Sequence, residues 1–397
     1  MEKVGRKNAA GKRYIQSDTV KVTRYREGVD RPFLILVVVL LCFGTVMIFS
    51  ASYVNAQENY GGSYFFARQQ LLWAISGLVA MMAIAYLFDR IFNSIYLLIQ
   101  KSFIAVGFFA VVLALNYVTG LIGKVANGGQ RWFKIGSFQF QPSELLKLAV
   151  VIFFAWYISF IGEKMKKARW GILIPAVIII MVFGAMYLQS HFSGMIILGL
   201  ICVFMIFIGE APWKSLAGIG ILGAGAVTAI LFFTDYAKGR ILVWLDPYVD
   251  PKGDGFQTIQ SLIAIGSGGL LGVGLGQSRQ KHLFLPEPQN DFIFSIVCEE
   301  LGLIGALIIM AIFVLLIWRG FVIAFHAPDK FSSLVTMGII IKVALQFILN
   351  IAVVTGTIPN TGISLPFFSY GGTSLLMLMA EMGIVLSISR YSLHEKN

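Results

Sequence analysis

Ten apolar stretches, at about 33–54, 69–88, 102–118, 143–160, 171–188, 192–209, 215–233, 292–318, 332–355 and 372–390, leave this chain few ways to fold. Each approaches the ~20 residues that a helix needs to cross the hydrocarbon core of a bilayer. Lipid offers the backbone no hydrogen-bond partners, so segments of this kind must be helical. Hydrophobic residues make up 57% of the 397 and charged residues only 13%, whereas a soluble domain carries about 25% charged residues. The chain reads as an all-α polytopic membrane protein with ten transmembrane helices. Cys42, Cys202 and Cys298 lie far apart in separate apolar runs and suggest no disulfide framework.

The net charge of +11 does not point to nucleic acid, because nine of the 31 Lys and Arg residues precede the first apolar stretch. A polybasic segment beside a membrane is retained in the cytoplasm and meets anionic lipid headgroups. It is too long for a cleaved signal peptide, so the first stretch reads as a permanent anchor. This divides the chain into a basic flexible tail at 1–31, a membrane domain at 32–390 and a short tail at 391–397. With the N-terminus inside, Arg90, Lys101, Lys164, Lys166, Lys167, Arg169, Lys214, Arg319, Lys330 and Arg390 all fall on the inner side. Both termini are therefore expected in the cytoplasm.

Residues 256–276, "FQTIQSLIAIGSGGLLGVGLG", are apolar enough to imitate an eleventh span. Their glycines and glutamines suit a re-entrant or interfacial element instead, and an odd number of spans would put the C-terminus outside. Two long extracellular loops then remain, at about 119–142 between helices 3 and 4 and at about 235–290 between helices 7 and 8. Loops of that length are usually functional. No G-x-x-x-x-G-K-[ST] run and no zinc-ligand spacing occurs, which argues against ATP-driven transport and a structural zinc.

Charged residues in or beside the apolar stretches are candidates for function. Glu144 and Lys147 share one helix face and can pair, either structurally or as a contact for an anionic headgroup. Lys342 and Glu381 lie near mid-depth in successive antiparallel helices and are expected to pair, more for structure than for chemistry. Arg131, Trp132 and Lys134 form an interfacial cluster: a plain aromatic anchor, or a phosphate site beside a platform for sugar or lipid. Asp291 stands where a proline-stiffened loop (Pro286, Pro288) enters the eighth helix, either as a helix cap or as a catalytic base. Glu299 lies eight residues further on, about 12 Å deeper, and Glu300 is on the face opposite Asp291. Neither can form an acid/base pair with Asp291, so both are expected to bind polar groups within the bundle.

Three ordered blocks carry a resemblance: "NGGQRWFKIGSFQFQPSELLKL", "DPKGDGFQTIQSLIAIGSGGLLGVGLGQSRQKHLFLPEPQNDFIFSIVCEELG" and "NIAVVTGTIPNTGISLPFFSYGGTS". The chain resembles the SEDS family (shape, elongation, division, sporulation) of peptidoglycan glycosyltransferases, the RodA/FtsW/SpoVE group, over about 33–390. The basic tail and the form of "GQSRQKHLFLPEPQNDFIF" look more like its division and sporulation branch. The resemblance implies polymerisation of lipid II at the outer face of the bacterial plasma membrane, with Asp291 at the position of the essential aspartate. It places Trp132 and Lys147 at the family's functional tryptophan and lysine. Beside them, Arg131, Lys134, Glu144, Arg240, Lys281 and Glu287 are candidate substrate contacts. Pyrophosphate is a good leaving group, so one carboxylate with cations, or with a divalent metal (Mg or Mn), suffices. The implied partners are lipid II, a class B penicillin-binding protein, other divisome proteins and membrane lipids. Where the family often reads Q-P-D-[LF]-G-T, this chain has "QSHFSG" at 189–194, so no role of that acid carries over to His191; Thr357 and Asn360 are milder departures. A lipid II transporter and a non-catalytic scaffold for a transpeptidase are the competing readings.

Overall fold

Asp30 is built to start a helix: its carboxylate accepts from the backbone N–H of Phe33 at 2.9 Å, and Pro32 follows in the first turn. Helix α1 then runs Arg31–Tyr60 in this computed structural model and ends at Gly61, which takes the left-handed conformation. The structure describes residues 23–24, 28–101, 104–126, 129–135, 138–212, 217–218, 220, 239, 242–253, 255–391 and 393–394. The further helices are α2 Phe65–Lys101, α3 Ile104–Ile122, α4 Pro142–Ile161, α5 Ile174–Leu188 and α6 Phe192–Ile208. After them come α7 Phe256–Gly268, α8 Ile293–Phe325, α9 Lys330–Val354 and α10 Gly372–Ser389.

Among the described residues, eight helical stretches are long and apolar enough to cross a membrane, and α6 is a shorter apolar helix. The expected span at 215–233 falls almost wholly outside the described residues, as does most of the 1–31 tail. Helix α4 is buried along most of its length, packed against α3, α6 and α9, while α10 packs on α2 and α8 on α1. All three cysteines are free.

The all-α expectation needs one correction. Between α3 and α4 the chain forms an antiparallel three-stranded sheet, β2 Lys124–Ala126, β3 Gly129–Ile135 and β4 Phe138–Phe140, after a two-residue strand β1 Thr23–Arg24. Phe133 faces Phe140 and Lys134 faces Gln139 in the register. At the termini β1 pairs with β5 (Leu393–His394), so the two tails meet in a short antiparallel bridge.

Residues 256–276 form a helix and a glycine-rich loop packed against α8, and that packing explains their composition. Helix α8 is broken at Gly302 (φ 68, ψ −173). An unbroken helix would bond the N–H groups of Leu303 and Ile304 to the carbonyls of Glu299 and Glu300. The loop after α7 enters this gap. Val273 and Gly274 donate to the Glu299 and Glu300 carbonyls, both at 3.0 Å, while Leu303 and Ile304 donate to Gly269 and Leu270 at 2.9 and 3.2 Å. All four interrupted backbone groups are thereby satisfied. The approach is so close that a Cβ at Gly302 would stand 2.2 Å from the Gly272 nitrogen, and one at Gly272 would stand 2.2 Å from the Glu300 oxygen.

The two glutamates reinforce the same junction. Glu299 accepts from the Arg279 and Gln280 N–H groups at 2.9 and 3.4 Å. Glu300 accepts from the Ser50 hydroxyl of α1 at 2.6 Å and from Lys281 Nζ at 3.0 Å. Lower in the bundle, Lys342 and Glu381 form the expected buried ion pair. Breaking one side of such a pair strands a buried charge, at a cost of about 3–5 kcal/mol, whereas an apolar pair of similar volume can be neutral. Lys342→Met and Glu381→Leu are each expected to lower thermal stability in detergent, and the double variant is expected to recover most of it. Equal loss in all three variants would contradict a structural role.

Candidate active site

The proline-stiffened loop that leads into α8 is held on three sides. Asn350 of α9 is fully buried and donates from Nδ2 to the Asp291 carbonyl at 2.7 Å and to the Ile363 carbonyl at 2.6 Å. The Ser369 hydroxyl donates to the Asn290 carbonyl at 2.8 Å, and the Tyr370 N–H donates to Gln289 at 2.8 Å. Within the loop, Asn290 Nδ2 donates to Glu287 at 2.8 Å. The segment 357–371 thus carries the Asp291 loop through backbone bonds, and leaves the carboxylate unengaged: among the described residues nothing donates to it. Gly362 has φ 65, and a Cβ there would lie 3.1 Å from Asp291 Oδ2, so glycine keeps this face open.

Asp291 opens into a cavity of about 680 Å³. Arg131, Trp132, Glu144, Lys147 and Glu287 line the same cavity, so six of the residues expected from sequence converge there. Arg131 enters from β3 and donates from Nη2 to the Ser190 carbonyl at 2.6 Å, tying the sheet to the α5–α6 turn. Lys147 Nζ and Glu144 pair at 2.7 Å on the buried head of α4. That head is fixed by Asn116, which donates to the Pro142 carbonyl at 3.2 Å and receives Gln189 Nε2 at 3.1 Å. A small cavity of about 30 Å³, lined by Glu144, Lys342 and Gln346 among others, adjoins this pair and has room for a water or two.

Burial raises the Asp291 pKa to about 6, the neighbouring Glu287 carboxylate adds to the rise, and Arg131 opposes it. A carboxylate so placed is ionised at neutral pH yet basic enough to accept a proton.

One expected contact stands apart from the cavity. Lys281 is corrected: it is 4% exposed and donates to Glu300, to Ser50 and to the Gly276 carbonyl, which makes it part of the α8 junction and not of the cavity wall. Lys134 lies on β3 in register with Gln139, and Arg240 lies outside the described residues. Sequence reasoning missed Asn350, Gln69, Gln257, Gln346 and Tyr370. Of these, Gln346 lies four residues beyond Lys342 on one face of α9 and was within reach of helical periodicity. Tyr370 bonds Gln69 across the cavity rim, a long-range contact with no local signature.

Residues 31–394 match the FtsW/RodA/SpoVE family, described as cell cycle protein. The chain belongs to this family. It is 41% identical to stage V sporulation protein E of Bacillus subtilis (strain 168), over 94% of this chain and 100% of that protein. It is 36% identical to a probable peptidoglycan glycosyltransferase FtsW of Geobacter sp. (strain M18), over 91% of this chain and 97% of that one. Among solved structures it superposes with a TM-score of 0.74 and 28% identity on a chain from a study of the structural coordination of polymerization and crosslinking by a peptidoglycan synthase complex, covering 91% and 98%. Thermus thermophilus RodA shares the fold, with a TM-score of 0.65 and 24% identity over 91% of this chain and 97% of that one. With its apolar helices, this membership makes the chain a multi-pass bacterial membrane protein.

Proposed function

We propose that this protein is a peptidoglycan glycosyltransferase that polymerises lipid II, with Asp291 as general base. The observation that carries the reading is the Asp291 carboxylate: it is presented to a large polar cavity, held by its backbone and left without a donor among the described residues. The acceptor's GlcNAc 4-hydroxyl attacks the anomeric carbon of the donor's muramic acid. Asp291 takes the hydroxyl proton, the new C–O bond forms, and the donor's bond to undecaprenyl pyrophosphate breaks with both electrons leaving on the pyrophosphate. A glycosidase needs a second carboxylic acid because an alkoxide leaves poorly; pyrophosphate needs only positive charge. Arg131 and Lys147 supply it from the cavity wall, and Trp132 offers an apolar face for a sugar ring.

Ten spans with both termini in the cytoplasm fit this role, since the positive-inside bias then puts the cavity at the outer face, where flipped lipid II is presented. A role in septal or sporulation wall synthesis follows the relatives named above. Partnership with a class B penicillin-binding protein is supported by the synthase complex to which the fold is similar, and other divisome proteins are proposed as further partners. Among the described residues no three His, Cys, Asp or Glu side chains form a set for a metal, so no step here is routed through Mg or Mn.

The test is to incubate purified protein with lipid II, with and without EDTA, and to measure glycan chains and released undecaprenyl pyrophosphate. One pyrophosphate released per disaccharide added is expected. Redistribution of lipid II across vesicles with no polymer formed would replace this reading by transport.

A further inference from the structure

His191 occupies the turn between α5 and α6, lines the cavity and is only 8% exposed. Its Nδ1 is sealed in the protein with no hydrogen-bond partner among the described residues. The ring lies against Gly194, where a Cβ would stand 2.9 Å from Nδ1 and Cε1, so the absent side chain at 194 makes room for the imidazole. An orphaned buried N–H is rarer than an orphaned lone pair, and the tautomer follows the bonding of each nitrogen. The proton therefore belongs on Nε2, the ring nitrogen that is not sealed, in a residue that lines the cavity. Burial, then the Arg131 and Lys147 charges, push the His191 pKa down to about 3, with Glu144 opposing. The ring is neutral at any working pH, yet it sits in the positive potential of two cations. A neutral donor in that field is suited to an anionic oxygen.

We propose that His191 Nε2–H is a specificity-determining contact to the diphosphate of the lipid substrate and product, acting beside Arg131 and Lys147. The diphosphate comes from the polymerase reading above; the donor comes from the geometry of the turn. The backbone supports the assignment, because Arg131 bonds the Ser190 carbonyl at 2.6 Å, one residue away, and so holds guanidinium and imidazole in fixed relation.

Glutamine places an amide nitrogen near the position of imidazole Nε2, asparagine near that of Nδ1, and leucine fills the space with no donor. The probe is undecaprenyl pyrophosphate, read as its thermal stabilisation of each variant relative to the same variant without ligand and as its inhibition constant in polymerisation. His191→Leu and His191→Asn are expected to weaken its binding about tenfold or more, and His191→Gln to stay within about threefold of the parent, as for one hydrogen bond to a charged group. Unchanged binding in His191→Leu, or asparagine serving as well as glutamine, would overturn the assignment. So would a rise in KM for lipid II with unchanged undecaprenyl pyrophosphate binding, which would assign the contact to a sugar. The stabilisation needs no turnover, so it reads His191 even if polymerisation is not observed.

Discussion

Polymer formation by Asp291→Asn is expected to fall by about 10²–10⁴-fold, the usual worth of a positioned general base. The same substitution should leave thermal stability at neutral pH unchanged or slightly higher, and the sign can be worked out. The folded pKa of about 6 lies above the ordinary value of 3.8. The folded state therefore holds the Asp291 proton more tightly than the unfolded chain does. Stability from this group is present below the ordinary value and declines as pH rises through about 6. At pH 7 the ionised carboxylate is a burden on the fold that asparagine removes. In the parent, kcat/KM should rise with pH to a plateau with a midpoint near 6, and at pH 5 only about a tenth of the plateau rate should remain. An Asp291→Asn protein that polymerises normally, or one that is inactive only because it is unfolded, would remove Asp291 from the chemistry.

Gly302→Ala should be severely damaging to the fold. Its φ of 68 with ψ of −173 is a combination almost restricted to glycine, and other residues held there cost about 1–3 kcal/mol. The added Cβ would also lie 2.2 Å from the Gly272 nitrogen and 2.6 Å from the Leu270 oxygen. Both are backbone atoms that cannot swing away without opening the hydrogen bonds that bridge the break in α8. A loss of about 3 kcal/mol or more is expected, visible as a lower melting temperature and poor recovery from membranes. Gly266→Ala is the control: it lies within α7 and its Cβ would meet nothing within 4 Å, so it should be neutral or mildly stabilising. Equal behaviour of the two variants would mean that the broken helix and its inserted loop are not held as described.

What could be read from the sequence was what local periodicity and cost decide. The apolar stretches had to be helices, Glu144 and Lys147 had to share a face, and Lys342 and Glu381 had to meet because neither could remain alone in the bundle. Asp291 stood out because charge at a helix mouth is conspicuous. Lys281 was misplaced for the converse reason. Its position in a polar loop said nothing of Ser50 and Glu300, which close around it from two distant helices. Asn350 escaped notice because a neutral amide inside an apolar helix costs little to overlook, yet it holds the backbone of Asp291 and of Ile363 together. The strand β3 was hidden by its length, since seven residues flanked by glycine give too short an alternation to distinguish from an interfacial loop.

The main-chain bonds between residues 269–274 and the broken helix also bear on how a saturation mutagenesis map of this protein should be read. Where backbone packs on backbone, every side chain is an obstruction, so positions 268, 272 and 302 will reject all substitutions as sharply as position 291 does. A growth screen alone would mark them as equals and suggest a catalytic patch that does not exist. Dividing activity by the amount of protein in the membrane separates them: glycine variants will lose both quantities together, and Asp291 variants only the first.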